Sequence, residues 1–325
     1  MSPTKTIEVE HLSKVYGSTT AIEDVHFSVE AGEIVGFLGP NGAGKTTTMR
    51  ILAGYLPATA GTAKIAGYDV HREAMAVRRC IGYLPENPPL YLDMTVKGFL
   101  HFVAKIKGVA AGERQKKVES AIARCQLSDR ANTIIHKLSK GYRQRVGIAQ
   151  ALVHEPPVII LDEPTVGLDP RQIIEVRNLI KSLAGEHTII LSTHILPEVS
   201  MTCDRVTIIN KGKVVATNTP GDLREQLHGG SEYEIEVEGD VDRVLPLIQE
   251  IDGIASINIL SREREIENQR TLLNITCKSD REPGNTIAAI LIQNNLELYE
   301  MRRNRPSLED VFLQLTTEEP KIKGG

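Results

Sequence analysis

Residues 39–47 read Gly39-Pro40-Asn41-Gly42-Ala43-Gly44-Lys45-Thr46-Thr47. They fit the spacing G-x-x-x-x-G-K-[ST] in full. Before them, Glu33-Ile34-Val35-Gly36-Phe37-Leu38 predicts a short buried strand. After them, Thr46 to Leu56 places Met49, Ile51 and Leu52 at helical spacing. A loop between a strand end and a helix N-terminus commits this part of the chain to an α/β fold. The glycines let backbone N–H groups converge on phosphate oxygens with no Cβ in the way. The helix N-terminus adds a partial positive charge. Lys45 supplies a point charge for β- and γ-phosphates, and Thr46 offers a hydroxyl to Mg²⁺. All nine residues are therefore candidate contacts for a nucleoside triphosphate.

Composition bounds what such a site can serve. At 325 residues there is room for two domains. A formal net charge of −4 gives no global pull toward nucleic acid or anionic lipid and leaves only local basic patches open to one; no nucleic-acid partner is expected. Cys80, Cys125, Cys203 and Cys277 are scattered without a C-x-x-C pair and read as reduced, cytosolic thiols. The first residues lack the apolar core of a secretory signal. No run of 18 apolar residues offers a membrane span.

The flanking chain is read from its periodicity. Ile7-Glu8-Val9 predicts an edge strand, and Ala21 to Val29 a second strand turned at Ala31-Gly32. Tyr16 lies shortly upstream of the loop. Its ring can stack on a purine, or it can be a half-buried tyrosine at a strand end. Gly61 to Val70 reads as strand and turn. Ile81-Gly82-Tyr83-Leu84 is a short strand stopped by Pro85-Glu86-Asn87-Pro88-Pro89. From Thr95 to Cys125 the period is helical, with Val96, Phe99, Leu100, Val103 and Ile106 on one stripe and Thr95 as N-cap. With the helix that opens at Leu138 and runs to Leu152, this predicts a helical insert over about residues 87–152.

Val158-Ile159-Ile160-Leu161-Asp162-Glu163 predicts a buried strand ending in two carboxylates, where α/β sheets place ligand-binding groups. Gly167-Leu168-Asp169-Pro170 turns into a helix reaching Leu183. Thr188 to His194 is a further buried strand ending in a histidine. Arg205 to Val215 is a hairpin, and Thr219-Pro220-Gly221-Asp222 opens a helix. His228-Gly229-Gly230-Ser231 reads as a linker, so the first domain is expected to span residues 1–228. Residues 232–316 restart the pattern as β-α-β-β-α-β, with a helix over Val241 to Ile251 and a charged loop over Arg262 to Arg270. That order suggests a small α+β domain of ferredoxin-like type. Ser307 caps a final amphipathic helix, and residues 317–325 read as a polar, disordered tail.

Beside a phosphate loop, Asp162 can hold Mg²⁺ directly or through water, and Glu163 can orient or deprotonate an attacking water. His194 can donate to a γ-phosphate, or serve as a helix N-cap or core histidine. In order and spacing these elements resemble the ATP-binding-cassette (ABC) ATPases over about residues 7–228. The resemblance makes the loop the Walker A motif and Val158 to Glu163 the Walker B strand with its catalytic glutamate. Gly167 to Asp169 becomes the D-loop, His194 the switch histidine, and Tyr16 the aromatic that stacks on adenine. Leu138-Ser139-Lys140-Gly141-Tyr142 occupies the signature position, where Leu-Ser-Gly-Gly-Gln is usual; Ser139's hydroxyl and Gly141's N–H survive. Lys140 then either reaches the γ-phosphate of an opposing subunit or is solvated. Glu86 stands where the Q-loop glutamine is usual; its carboxylate can be a further Mg²⁺ ligand, at the cost of negative charge near phosphates.

Beyond the first domain, the ending Pro306-Ser307-Leu308-Glu309-Asp310-Val311-Phe312-Leu313 is similar to the extension on ATPase subunits of ABC-2-type exporters. Pro85 to Tyr91 is similar to their gliding-motility and copper-processing branches. The family resemblance thus implies a P-loop NTPase domain with a helical insert, followed by the accessory α+β domain. It implies Mg²⁺-dependent ATP hydrolysis by a homodimer, with Lys45, Glu163 and His194 catalytic. A separate ABC-2-type membrane permease would be the partner, and the chain would sit on the cytoplasmic face of the inner membrane. The alternative is a soluble ABC ATPase acting on ribosomes or DNA; such proteins usually carry two cassettes or a long coiled-coil insert. A module using ATP only as a structural ligand would not need Glu163 and His194.

Overall fold

Alternating apolar residues build the opening of the chain into two long strands, β1 (Lys5–Tyr16) and β2 (Thr19–Glu30). This computed structural model describes residues 5–226, 232–264, 269–278, 282–304 and 308–317. The phosphate-loop segment follows as β3 (Ile34–Leu38) and α1 (Lys45–Leu52). Then come β4 (Ala60–Ile65), β5 (Tyr68–Asp69), α2 (Ala74–Cys80) and β6 (Ile81–Leu84). The helical insert contributes α3 (Val96–Ile106), α4 (Ala111–Arg124) and α5 (Lys140–Leu152). The chain returns through β7 (Val158–Asp162), α6 (Pro170–Leu183), β8 (Thr188–Thr193), α7 (Leu196–Thr202), β9 (Arg205–Asn210), β10 (Lys213–Asn218) and α8 (Pro220–Gln226).

Two sheets organise these elements. One is antiparallel in the order β2-β1-β4-β5; the other has the order β10-β9-β3-β8-β7-β6. In the second, β3, β6, β7, β8 and β9 pair in parallel and only β10 turns back. Every residue of β3, β7 and β8 is buried, as strands covered on both faces require. Gly36 matters here: a Cβ on it would lie 2.7 Å from Val199, so α7 packs against β3 only because that side chain is absent. Strand ends and the loops after them therefore gather along one edge, the C-terminal edge of β3, β7 and β8.

Several expectations are corrected. Ile7-Glu8-Val9 is not an edge strand, because Ile7 pairs with Val29 on one side and Ile65 on the other. Period-two alternation reports a buried face, not the number of neighbours. The stripe from Thr95 to Cys125 is two helices rather than one. It breaks at Gly108, whose φ of +81° is left-handed. Lys107 folds back at that break and donates to the carbonyls of Arg78 and Ile81, both at 2.9 Å. Burial pushes its ammonium down to about 8. The segment Val241 to Ile251 is a 3₁₀ turn followed by a five-residue helix, α9 (Leu245–Gln249), with Pro246 in its first turn. Helices α2 and α7, seven residues each, were not anticipated.

The chain divides into two compact units, Met1–Pro220 and Gly221–Gly325. The second contains β11 (Glu232–Glu238), α9, β12 (Ile254–Arg264), β13 (Gln269–Cys277), α10 (Gly284–Gln293), β14 (Glu297–Asn304) and α11 (Leu308–Thr317). Its sheet runs β12-β13-β11-β14, antiparallel throughout. In β11, Tyr233, Ile235 and Val237 face a core of their own with Leu273, Ile287 and Leu291. That connectivity is the β-α-β-β-α-β order expected from sequence. Strands β12 and β13 reach further into the charged segment than expected, leaving 265–268 outside the described residues. The proposed linker at His228 to Ser231, the cap at Ser307 and residues 318–325 also lie outside them.

Candidate functional site

The phosphate loop leaves β3 and enters α1 through two glycines that no other residue could replace. A Cβ on Gly39 would lie 2.4 Å from the carbonyl oxygen of Ile209. Gly44 has φ +105°, and a Cβ there would sit 2.5 Å from Ile22 and 2.8 Å from the carbonyl oxygen of Ala21. Gly44 is also the N-cap of α1, whose first turn carries no acidic side chain. The positive end of the helix is left available to an anion.

Lys45 is 6% exposed and donates to the carbonyls of Gly39 at 2.8 Å and Pro40 at 3.2 Å. Its Nζ also stands 3.3 Å from Glu163 Oε1. Glu163 in turn accepts from His194 Nδ1 at 2.9 Å on Oε2 and 3.0 Å on Oε1. A carboxylate only accepts, so Nδ1 carries the proton in this arrangement. The three side chains form one row, Lys45–Glu163–His194, with the glutamate buried and the imidazole half-exposed. Glu163 sits at φ +51°, a conformation side chains rarely adopt, and its N–H donates to Ser192 O at 2.9 Å. The neighbouring strand β8 thus holds the unusual backbone that turns this carboxylate toward the loop.

Asp162, the last residue of β7, is fully buried. Neither of its carboxylate oxygens makes a hydrogen bond of good geometry. Burial pushes its carboxyl up, against the pull of the nearby Ser192 and Thr46 hydroxyls. Unsatisfied buried oxygens this close to Thr46 fit a cation. Among the described residues no group of three His, Cys, Asp or Glu is placed to hold a metal. Mg²⁺ needs no such group, since it keeps waters and substrate phosphates and takes only one or two carboxylates.

A cleft of about 530 Å³ opens over this row. Asn41, Gly42, Gly44, Lys45, Thr46, Thr47, Glu86, Glu163 and His194 line it, joined by Ala21 and Val166. The structure therefore brings together the loop, Glu86, Glu163 and His194, which sequence separates by up to 153 positions between 41 and 194. Ala21 and Val166 carry no chemical signal in the sequence; β2 and the turn after β7 place them at the cleft.

Four expected residues lie elsewhere in the same chain. Tyr16 ends β1, 47% exposed, with Lys14 Nζ 5.1 Å from its ring centre, and does not line the cleft. Ser139 caps α5, accepting from Tyr142 N–H at 3.4 Å. Lys140 extends over Gly167, where a Cβ would meet its Nζ at 2.0 Å. A Cβ on Gly141 would meet the Gln172 amide at 2.7 Å. Lys140 and Gly141 thus face the turn 167–169 and α6, and none of the three lines the cleft of its own chain. Tyr142, in the position of a usual glutamine, has the guanidiniums of Arg130 and Arg145 5.5 and 5.6 Å from its ring centre.

Fold and cleft define a P-loop nucleotide-binding domain with a helical insert. The family model of the ABC transporter matches residues 22–166. An uncharacterised ABC transporter ATP-binding protein of Bacillus subtilis (strain 168), YhcH, is 34% identical over 315 residues, covering 96% of this chain and 96% of that protein. The bacitracin transport ATP-binding protein BcrA of Bacillus licheniformis is 32% identical over 311 residues, covering 95% of this chain and 96% of that one. Among solved structures, a dimeric post-hydrolysis state of the ATP-binding cassette MJ0796, bound to ADP and Pi, superposes with a TM-score of 0.60. It is 26% identical and covers 66% of this chain and 98% of that one. The chain belongs to the ATP-binding proteins of ABC transporters. It is an ATP-binding ATPase of that class.

Proposed function

We propose that two copies of this chain clasp two ATP molecules and drive export through a separate ABC-2-type membrane permease, from the cytoplasmic face of the inner membrane. The observation that carries the reading is the row Lys45–Glu163–His194 at the floor of the phosphate cleft. Each ATP would lie against residues 39–47 of one copy, with adenine on Tyr16. Ser139, Lys140 and Gly141 of the other copy would close over it. Their position away from their own cleft, on the face beside residues 167–169, supports a contact in trans. The dimeric cassette above supports it by analogy. Relatives named for bacitracin transport and Nod factor export support transport over a role at ribosomes or DNA. Among the described residues no helix is long and apolar enough to cross a membrane, so a permease would have to supply the path.

The chemistry follows from the row. Lys45 pairs with Glu163 at 3.3 Å; a γ-phosphate would draw Lys45 onto itself and leave Glu163 free to hold water. Thr46, Asp162 and Glu86 would hold Mg²⁺, which supplies charge neutralisation at the phosphates. With Nδ1–H engaged on Glu163, a neutral His194 presents only a lone pair at Nε2. Donation to the γ-phosphate then needs a second proton or release from Glu163. The domain of residues 1–228 would hold all of this machinery, and residues 232–316 would be accessory.

Glu163→Gln tests the reading. Hydrolysis should fall by about 10²–10⁴-fold, as loss of a general base does. Binding should survive and an ATP-held dimer should appear in sizing runs with Mg²⁺-ATP. Adding Ser139→Arg should dissolve it. A Glu163→Gln protein that hydrolyses ATP at the wild-type rate, or a doubly substituted one that still dimerises, would refute the corresponding assignment.

A further inference from the structure

Glu198 is a buried carboxylate that the chemistry above leaves unused. It lies in the first turn of α7 and is 3% exposed. Thr165 Oγ1 donates to its Oε1. Thr193 Oγ1 donates to its Oε2 at 3.0 Å, while accepting from Ile195 N–H at 3.0 Å. Burial pushes the Glu198 carboxyl up and the two hydroxyls pull it back. Glu163 and His194 are the charged groups that bear on it.

The two threonines are not arbitrary anchors. Thr165 stands two residues after Glu163, and Thr193 stands immediately before His194. The ladder between β7 and β8 ends with Asp162 opposite Ser192. Past that pair, only the Glu163 N–H to Ser192 bond still ties the two strands' backbones. Glu163 and His194 therefore stand just beyond the last rung of the sheet. Glu198 reaches across from α7 and ties the two departing segments to one side chain. An apolar residue here would pack at lower desolvation cost but would strand two buried hydroxyls. A carboxylate with two lone-pair faces can take both at once.

We propose that Glu198 is a positioning residue. Through Thr165 and Thr193 it fixes the spacing of the Glu163 carboxylate and the His194 ring, so that hydrolysis depends on it and ATP binding does not. The proposal rests on the roles given to Glu163 and His194 above.

The test cuts each arm of the brace in the full-length chain. Thr165→Val and Thr193→Val remove one hydroxyl each at nearly constant volume; Thr165→Ser and Thr193→Ser restore it. Glu198→Gln keeps the shape and one acceptor oxygen, and takes the same readouts where a valine variant does not fold. The readouts are steady-state kcat and KM for Mg²⁺-ATP, the Kd for a fluorescent ATP analogue, and thermal unfolding. Each valine variant should lose about 10- to 100-fold in kcat, the size of effect an ångström of misplacement brings. Kd should stay within about threefold. The two valine substitutions together should cost no more than either alone, because one cut already opens the brace. The serine variants should recover most of the rate. Glu198→Gln should show the same kcat loss at unchanged Kd. Unchanged kcat in folded valine or glutamine variants, with only a lower unfolding temperature, would overturn the proposal and leave Glu198 a packing residue. If Glu163→Gln, run alongside, also keeps the wild-type rate, the hydrolytic reading itself has failed. If Glu163→Gln is inactive while the brace variants are not, the brace alone has failed.

Discussion

Lys45 and Glu163 hold each other 3.3 Å apart, both side chains buried. The lysine would thus be both a phosphate ligand and the counter-ion of the group that would deprotonate water. Lys45→Ala should weaken ATP binding by about 10- to 100-fold, the worth of one or two charge-assisted hydrogen bonds. A titration with a fluorescent ATP analogue reads this directly; affinity within a few fold of wild type would contradict the phosphate assignment. At this scale the contiguous part of the site was legible. Nine consecutive residues with the right spacing state their own chemistry, and Asp162-Glu163 stand together at a strand end. The Glu198 brace was not legible, because its members, Thr165, Thr193 and Glu198, carry no spacing rule. The pairing of β7 with β8, and the packing of α7 beside β8, bring them together. The cis placement of Lys140 over Gly167 was likewise open in the sequence, since a lysine's direction is set by the space its neighbours leave.

Elements were legible in proportion to their length and their caps. Thr95 was expected to cap α3, and its side chain accepts from Gly98 N–H at 3.1 Å. Thr95→Ala should cost about 1 kcal/mol, visible as a lower urea midpoint with an unchanged slope. ATP affinity should not move, since α3 lines no part of the cleft. The break after α3 escaped the pattern because α4 continues the helical period beyond Gly108. Helices α2 and α7 are too short for a period to register, and α2 buries a single apolar side chain, Val77. In the D-loop turn, Gly167 combines φ +70° with the Lys140 ammonium where a Cβ would go. Gly167→Ala should therefore destabilise by about 1 kcal/mol or more. It should also push Lys140 off the turn, which a shift in the denaturation midpoint reports and Lys140→Ala in the same chain should partly relieve.

At the scale of the whole molecule, the two units each carry a hydrophobic core of their own among the described residues, one before and one after residue 220. Every candidate for chemistry belongs to the first. A chain ending at residue 227 should fold, bind ATP and, carrying Glu163→Gln, still dimerise on it. Calorimetry of ATP binding to the purified fragment checks this; a folded fragment without affinity would place part of the site in the second unit. The succession of strands and helices along the chain followed from where the turns fell, whereas the neighbours of β1 did not, because pairing partners far apart in sequence leave no local trace. The ion pair at the cleft floor has one more consequence. A bare lysine beneath a ring of amides would collect any small anion that a cell holds in abundance, such as inorganic phosphate, sulfate or bicarbonate. Here the neighbouring carboxylate would compete for that lysine and repel such anions, a selection by exclusion rather than by fit. A polyphosphate that brings its own cation and grips several donors together would gain more by displacing it.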